Sequence, residues 1–192
     1  MTSTVPPERM PRIPADKMTP AQKKVAADIA AGPRGEMRGP FIALLRSPGL
    51  AGPVQQVGEY LRFNCPLEKR IIEFAALIAA RRWTQQYEWQ AHHPHALAAG
   101  VKPALLEAVA EGRRPAGMAS DEEIVHDMLT ELFDNHCVCD ATYGGALKQF
   151  GEEGVVDIIG IAGYYALLAM VMNVARTGLP AGKEPPLPHF PR

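Results

Sequence analysis

The sequence predicts an all-α fold, and three observations carry that prediction. Capping signatures stand before helix-forming stretches, at Thr19-Pro20-Ala21-Gln22 and Ser120-Asp121-Glu122-Glu123. Apolar residues recur at helical spacing, as Ile71, Phe74, Ala75 and Ile78 do in PLEKRIIEFAALIAARRW. No stretch alternates like a strand, and no internal repeat is present. At 192 residues the chain is long enough for one domain with a sizeable core.

Each element follows from local chemistry. Residues 1–18 are Pro-rich and charged, and are expected to be extended. Thr19 is the expected N-cap of a first helix, with Pro20 at its first position and Gln22 closing a capping box. That helix should stop near Gly32-Pro33. GPRGEMRGPF (32–41) is a Gly/Pro-punctuated loop carrying Arg34 and Arg38. Short helices are expected around Phe41–Arg46 and Gly52–Arg62. Pro66 should open the next helix, with a break near Thr84. The helix containing QYEWQAHHPHALAAGV (86–101) should end at Gly100. Pro103 starts another, to about Glu111. The Ser120 box starts a helix to about His136, Asp140 caps 141–150, and an apolar helix occupies roughly 152–176. The tail LPAGKEPPLPHFPR has too many prolines to be helical.

Twenty basic and 21 acidic residues give a net charge of −1. That balance, with no basic stripe, argues against nucleic acid as a partner. Three cysteines, Cys65, Cys137 and Cys139, do not form a secreted disulfide framework. The start MTSTVPPERM lacks an apolar stretch after a basic one, so no secretory signal is visible and a reducing cytoplasm is expected. VVDIIGIAGYYALLAMVMNVA (155–175) is long enough to span a bilayer, but Asp157 and Asn173 lie inside it. The expected reading is a helix buried on all sides, partly against another subunit, with no membrane partner.

Glu73 is the only charged residue between Arg70 and Arg81, and its helical neighbours Ala76, Leu77 and Ala80 are apolar. A carboxylate so placed is expected to be buried, with a raised pKa or a hydrogen-bonded partner. A structural pairing with Arg81 or Arg82 is the competing reading. Gln85, Glu88 and His92 share one helix face. Glu88 can bond His92 directly and orient it for acid–base work, or the two can be an ordinary surface pair. His93 points away from that face, and His95 reads as a helix or rim histidine. His92 and His95 at i,i+3 make a poor zinc pair, and Cys137-x-Cys139 beside His136 lacks a second cysteine pair, so no metal is expected.

A buried Glu a dozen residues before a polar face ending in His resembles the carboxymuconolactone decarboxylase family, which shares the all-helical fold of the alkyl hydroperoxidase D proteins. The peroxidase branch carries Glu, then Cys-x-x-Cys, then His four residues on. Laid on this chain the Glu is Glu73 and the His is His92, while Gln85 and Glu88 stand at the cysteine positions. YEW-x-x-H (87–92) and the run into Ala96 and Gly100 resemble the decarboxylase pattern. The likeness is clearest from Leu67 to Val101 and continues through DATYGGALKQFG and GYY to about Pro180. Residues 1–62 resemble the helical extension of larger members, packed on a core domain of 63–180, with 181–192 as a Pro-rich tail.

The resemblance implies an oligomeric alkyl hydroperoxidase D-like bundle and a cofactor-free lyase. The substrate would be a small carboxylated lactone or keto acid, of the kind met in aromatic catabolism. His92 would donate a proton, oriented by Glu88 or Glu73. Gln85, Tyr87 and Trp89 would contact substrate, and Arg34 and Arg38 would reach its carboxylate if the first loop folds over the site. Two other readings stand beside it: a thiol-dependent peroxidase using the displaced Cys137 and Cys139, and a non-enzymatic oligomeric binding protein.

Overall fold

The computed structural model describes residues 7–188. Among these residues there are eight α-helices and no strand. They are α1 (Pro20–Ala31), α2 (Pro40–Leu44), α3 (Pro48–Glu59), α4 (Lys69–Arg82), α5 (Gln86–Ala98), α6 (Pro103–Ala110), α7 (Ser120–Asn135) and α8 (Asp140–Ala175). The expectations for residues 1–6 and 189–192 lie outside the described residues.

Local chemistry sets most helix ends. Thr19 Oγ1 accepts the Gln22 N–H and Gln22 Oε1 accepts the Thr19 N–H, closing the expected box. Pro40, Pro48 and Pro103 each take a first position, where a missing N–H costs no hydrogen bond. Pro48 therefore opens α3 four residues ahead of the expected Gly52. A π-turn, Tyr60–Asn64, continues α3 past residue 62. Pro66 does not open α4. The segment after it turns first, leaving Leu67 packed on the core beside Gly154, and α4 begins at Lys69. Ser120 is not a cap either. The Glu122 carboxylate accepts the Ala119 N–H, which moves the cap one residue back. Likewise Asp140 is the first helical residue and Cys139 precedes it as cap. Within α8, Gly151 at φ 67° breaks the helix between 140–150 and 152–175, where the sequence places the junction.

α4 is the centre of the fold. Every residue from Ile71 to Arg81 is buried. α5, α6, α7 and α8 all pack against it. Its small residues Ala75, Ala76, Ala79 and Ala80 let these neighbours approach closely. Arg70, near its start, pairs with Asp121 and Glu122 and so ties α4 to the first turn of α7. The second half of α8 fills the other side with Ile158, Ile161, Tyr165, Leu168 and Met172.

The segments outside this core are tied to it. The Arg9 N–H donates to the carbonyl of Ala175, Gly178 N–H to Glu8, and Arg12 to the Met37 carbonyl. Leu187 is buried and exchanges two hydrogen bonds with Gln86. Helices α2 and α3 pack on α8. There Gly58 lies so close to Tyr164 and Arg34 that a Cβ would overlap both.

α8 alone is long and apolar enough to cross a membrane among the described residues, and most of its apolar window is buried in the fold. The expected burial on all sides is incomplete within one chain. Val156 (66% exposed), Ile159, Met170 and Val174 form an exposed apolar stripe.

Gly58→Ala is expected to lower stability by about 1–3 kcal/mol, because the added methyl forces α3 away from Tyr164. Urea unfolding measures it, and a change below a few tenths of a kcal/mol would show that this approach is not tight.

Candidate active site

The site is assembled from α4, α5 and α8. Thr84, at φ 47°, makes the tight turn between α4 and α5. A positive φ is strained for a β-branched residue, so the packing on either side must hold it. Gln85 caps α5: its Oε1 accepts the N–H groups of Tyr87 and Glu88, while its Nε2 donates to Asn173 Oδ1. Both ends of that side chain are thus engaged in structure. Gln85 does not line the cavity, contrary to the expected substrate contact.

Glu73 is buried at the centre of α4, as its apolar neighbours imply. Its partners are neither Arg81 nor Arg82. Arg81 donates to the Pro188 carbonyl, and Arg82 pairs with Asp134. Instead His92 Nδ1 lies 2.6 Å from Glu73 Oε2, and Lys69 Nζ lies 3.0 Å from Oε1. Burial pushes Glu73 up, but the imidazole and the ammonium outweigh that and hold it at about 2. Of the two expected outcomes, a raised pKa or a hydrogen-bonded partner, the second holds. An ionised carboxylate can only accept, so Nδ1 carries the hydrogen and Nε2 is left for other partners. Burial pushes His92 down, and the Glu73 carboxylate opposes this only in part. The resting pair is a carboxylate beside a neutral imidazole.

Glu88 does not bond His92, although it shares its helix face. The ring turns across to α4, where a charged acceptor waits. Glu88 is 3% exposed, its Oε2 has no hydrogen-bond partner, and no ion pair reaches it among the described residues. Burial pushes its carboxyl well above the usual range. Two carboxyl groups in neighbouring helices are thus shifted in opposite directions by their surroundings.

His92 and Glu88 face a cavity of about 300 Å³. The loop before α2 does fold over it. Arg34 donates to the Tyr164 hydroxyl (2.8 Å) and lies over the Phe41 ring. Gly39, at φ 55°, lies against Tyr87, where a Cβ would be 2.6 Å from the ring. Arg34, Arg38 and Tyr87 line the cavity, and His95 is also on its wall. Trp89 does not: it is buried in the core with its ring 6.0 Å from His93. Glu73 stands behind His92.

Sequence reasoning missed Arg62, Tyr164, Tyr165 and Lys183, all on the cavity wall. The adjacent tyrosines were a legible signal, since they are polar groups in an otherwise apolar helix. Arg62 and Lys183 carried none. Arg34 and Arg62 pair with no carboxylate among the described residues, and the buried Nε of each lacks a hydrogen-bond partner. Such guanidinium groups suit an incoming carboxylate. Cys137 and Cys139 are exposed and free, on the α7–α8 connection, and neither lines the cavity. Among the described residues no cluster of three or more His, Cys, Asp and Glu side chains is disposed to hold a metal ion.

The folded-state values of both Glu73 and His92 are depressed. Their contributions to stability are therefore present at neutral pH and lost on acidification. For His92 the loss begins as pH falls through its ordinary value of 6.5; for Glu73 it runs from 4.5 down to about 2. Ring-proton NMR should show His92 titrating below 6.5, and lower still in Glu73→Gln, where the carboxylate charge is gone. A His92 that titrates above 6.5 would contradict the resting pair described here.

No protein-family model matches the chain, and no curated protein matches it by sequence.

Proposed function

We propose that this protein is a cofactor-free carboxy-lyase of the carboxymuconolactone decarboxylase type, acting on a small carboxylated lactone or keto acid. The observation that carries the reading is one cavity combining a cationic wall with the buried Glu73–His92 pair. The resemblance of the Glu73, YEW-x-x-H and Gly100 pattern supports it.

Arg34 and Arg62 receive a substrate carboxylate, with Arg38 and Lys183 at the same cavity. The arriving negative charge raises the proton affinity of His92, which takes up a proton on Nε2. Scission of the bond to the leaving carboxylate releases CO₂, and its electron pair passes into the conjugated carbonyl as an enolate. His92 then hands its Nε2 proton to carbon, and the Glu73 carboxylate stabilises the imidazolium until it does. The sum is substrate carboxylate plus one proton giving product plus CO₂, with no change of redox state.

The test is CO₂ release from a panel of carboxylated butenolides and β-keto acids. With a substrate in hand, His92→Gln should lower turnover by roughly 10²–10⁴-fold while the protein stays folded. His93→Gln, which lies against Trp89, should change it little. A His92→Gln enzyme running at parental speed would overturn the mechanism.

A homo-oligomer belongs to the same proposal, with the exposed stripe of Val156, Ile159, Met170 and Val174 covered by a second copy. Light scattering should give a mass above 20.9 kDa that falls toward it in Ile159→Glu. A stable monomer at micromolar concentration counts against the oligomer.

A further inference from the structure

We propose that the Glu88 carboxyl and the Tyr165 hydroxyl form an oxyanion site: two O–H donors aimed at a substrate oxygen that gains negative charge. The inference rests on the acid–base reading above and deepens it. It assigns the group that holds the electrons left behind by CO₂, a task that His92 does not perform.

Two orphaned atoms carry the argument. Glu88 Oε2 and the Tyr165 hydroxyl are both buried, both belong to cavity-lining side chains, and both lack a hydrogen-bond partner. A buried polar group left without a partner forfeits the hydrogen bonds it would make in water. Two on one cavity wall are explained if a ligand completes them. Glu88, Tyr164 and Tyr165 line the same cavity, and the two tyrosine rings meet edge-on at 5.2 Å. The Tyr165 ring meets the His92 ring edge-on at 4.7 Å, so the donor and the proton carrier flank the same space.

Each group must keep its proton to serve as a donor. Burial favours that for both, pushing each well above its ordinary value. The cations on the cavity wall, Arg34, Arg38, Arg62 and Lys183, form no ion pair with Glu88 among the described residues, and burial alone sets the direction of its shift. Arg34 is engaged by Tyr164 and Phe41, Arg62 lies over Phe63, and neither forms an ion pair with Glu88. Lys69 is spent on Glu73. A carboxylic acid kept neutral in an apolar setting is a stronger donor than an amide or water. With the two arginines holding a carboxylate, the site selects a substrate class: small carboxylates bearing a carbonyl that can become an enolate. Carboxylates without such a carbonyl satisfy only half of it.

The experiment compares two probes, 4-hydroxy-3-nitrobenzoate as its phenolate and 4-methoxy-3-nitrobenzoate, binding to the intact chain at pH 7.5. Both carry the carboxylate, but only the first presents an oxyanion. Wild-type protein is expected to bind the phenolate at least about tenfold more tightly. That ratio should fall toward one in Glu88→Leu and in Tyr165→Phe. Arg34→Gln should weaken both probes and leave the ratio. If Glu88→Leu fails to fold, Glu88→Gln replaces it, and an intermediate ratio is expected from its weaker donor. Infrared difference spectra of wild type against Glu88→Gln should show a protonated carboxyl at neutral pH. A ratio near one in the wild type, no binding of either probe at millimolar concentration, a ratio unchanged in the variants, or an ionised Glu88 would each overturn the proposal. A tenfold ratio with no CO₂ from any substrate would sink the carboxy-lyase reading and leave this site standing. His92-dependent CO₂ release with a ratio of one would do the reverse.

Discussion

The arrangement depends on a charge that water cannot reach. Glu73 lies in the middle of a helix buried from Ile71 to Arg81, and it remains ionised there. Removing a carboxylate from water costs several kcal/mol even after the protein relaxes. Neutralising it by protonation is the usual escape, yet two groups prevent that. Lys69, one turn back on the same helix, reaches one oxygen. His92, from the next helix, donates to the other. The second contact fixes how α5 must lie on α4. The strained turn at Thr84 and the cap made by Gln85 are local means to that placement.

The contrast with Glu88 shows how little separates the two outcomes. Both carboxyls are buried, on neighbouring helices. Glu73 has a cation and a ring N–H, whereas Glu88 has neither. One pKa unit corresponds to about 1.4 kcal/mol, so one or two hydrogen bonds to a charged group decide which form is held. The same balance acts on His92, where burial prevails over its carboxylate partner. The cavity therefore holds an imidazole and a carboxyl whose surroundings shift both toward their uncharged forms.

The segment from residue 7 to 62 contributes to this cavity as well as to the fold. Arg34, Phe41 and Arg62 close one side of the cavity, and Gly39 and Gly58 allow the close approaches that bring them there. The C-terminal segment closes another with Pro180 and Lys183. Without these segments the cavity in front of His92 would lack those walls. An electrostatic pair is worth much less in water than in a sheltered cavity, so this enclosure bears directly on what the pair can do.

The sequence by itself determined the all-helical class, because caps, prolines and 3.6-residue periodicity act within a few residues of one another. Thr19, Gly100 and the junction at Gly151 were legible for that reason. It also determined that Glu73 would be buried, since its apolar neighbours are on its own helix. Partner choice was not legible. Glu88 and His92 are one turn apart and Glu73 is 19 residues from His92, yet the bond forms across helices. Gln85 and Trp89 share the segment of the site but were drawn into a cap and the core. Arg62 and Tyr165 came to the cavity from outside the motif. Only the tertiary structure decided these, because a side chain's charge state and partner depend on what packs against it from distant parts of the chain.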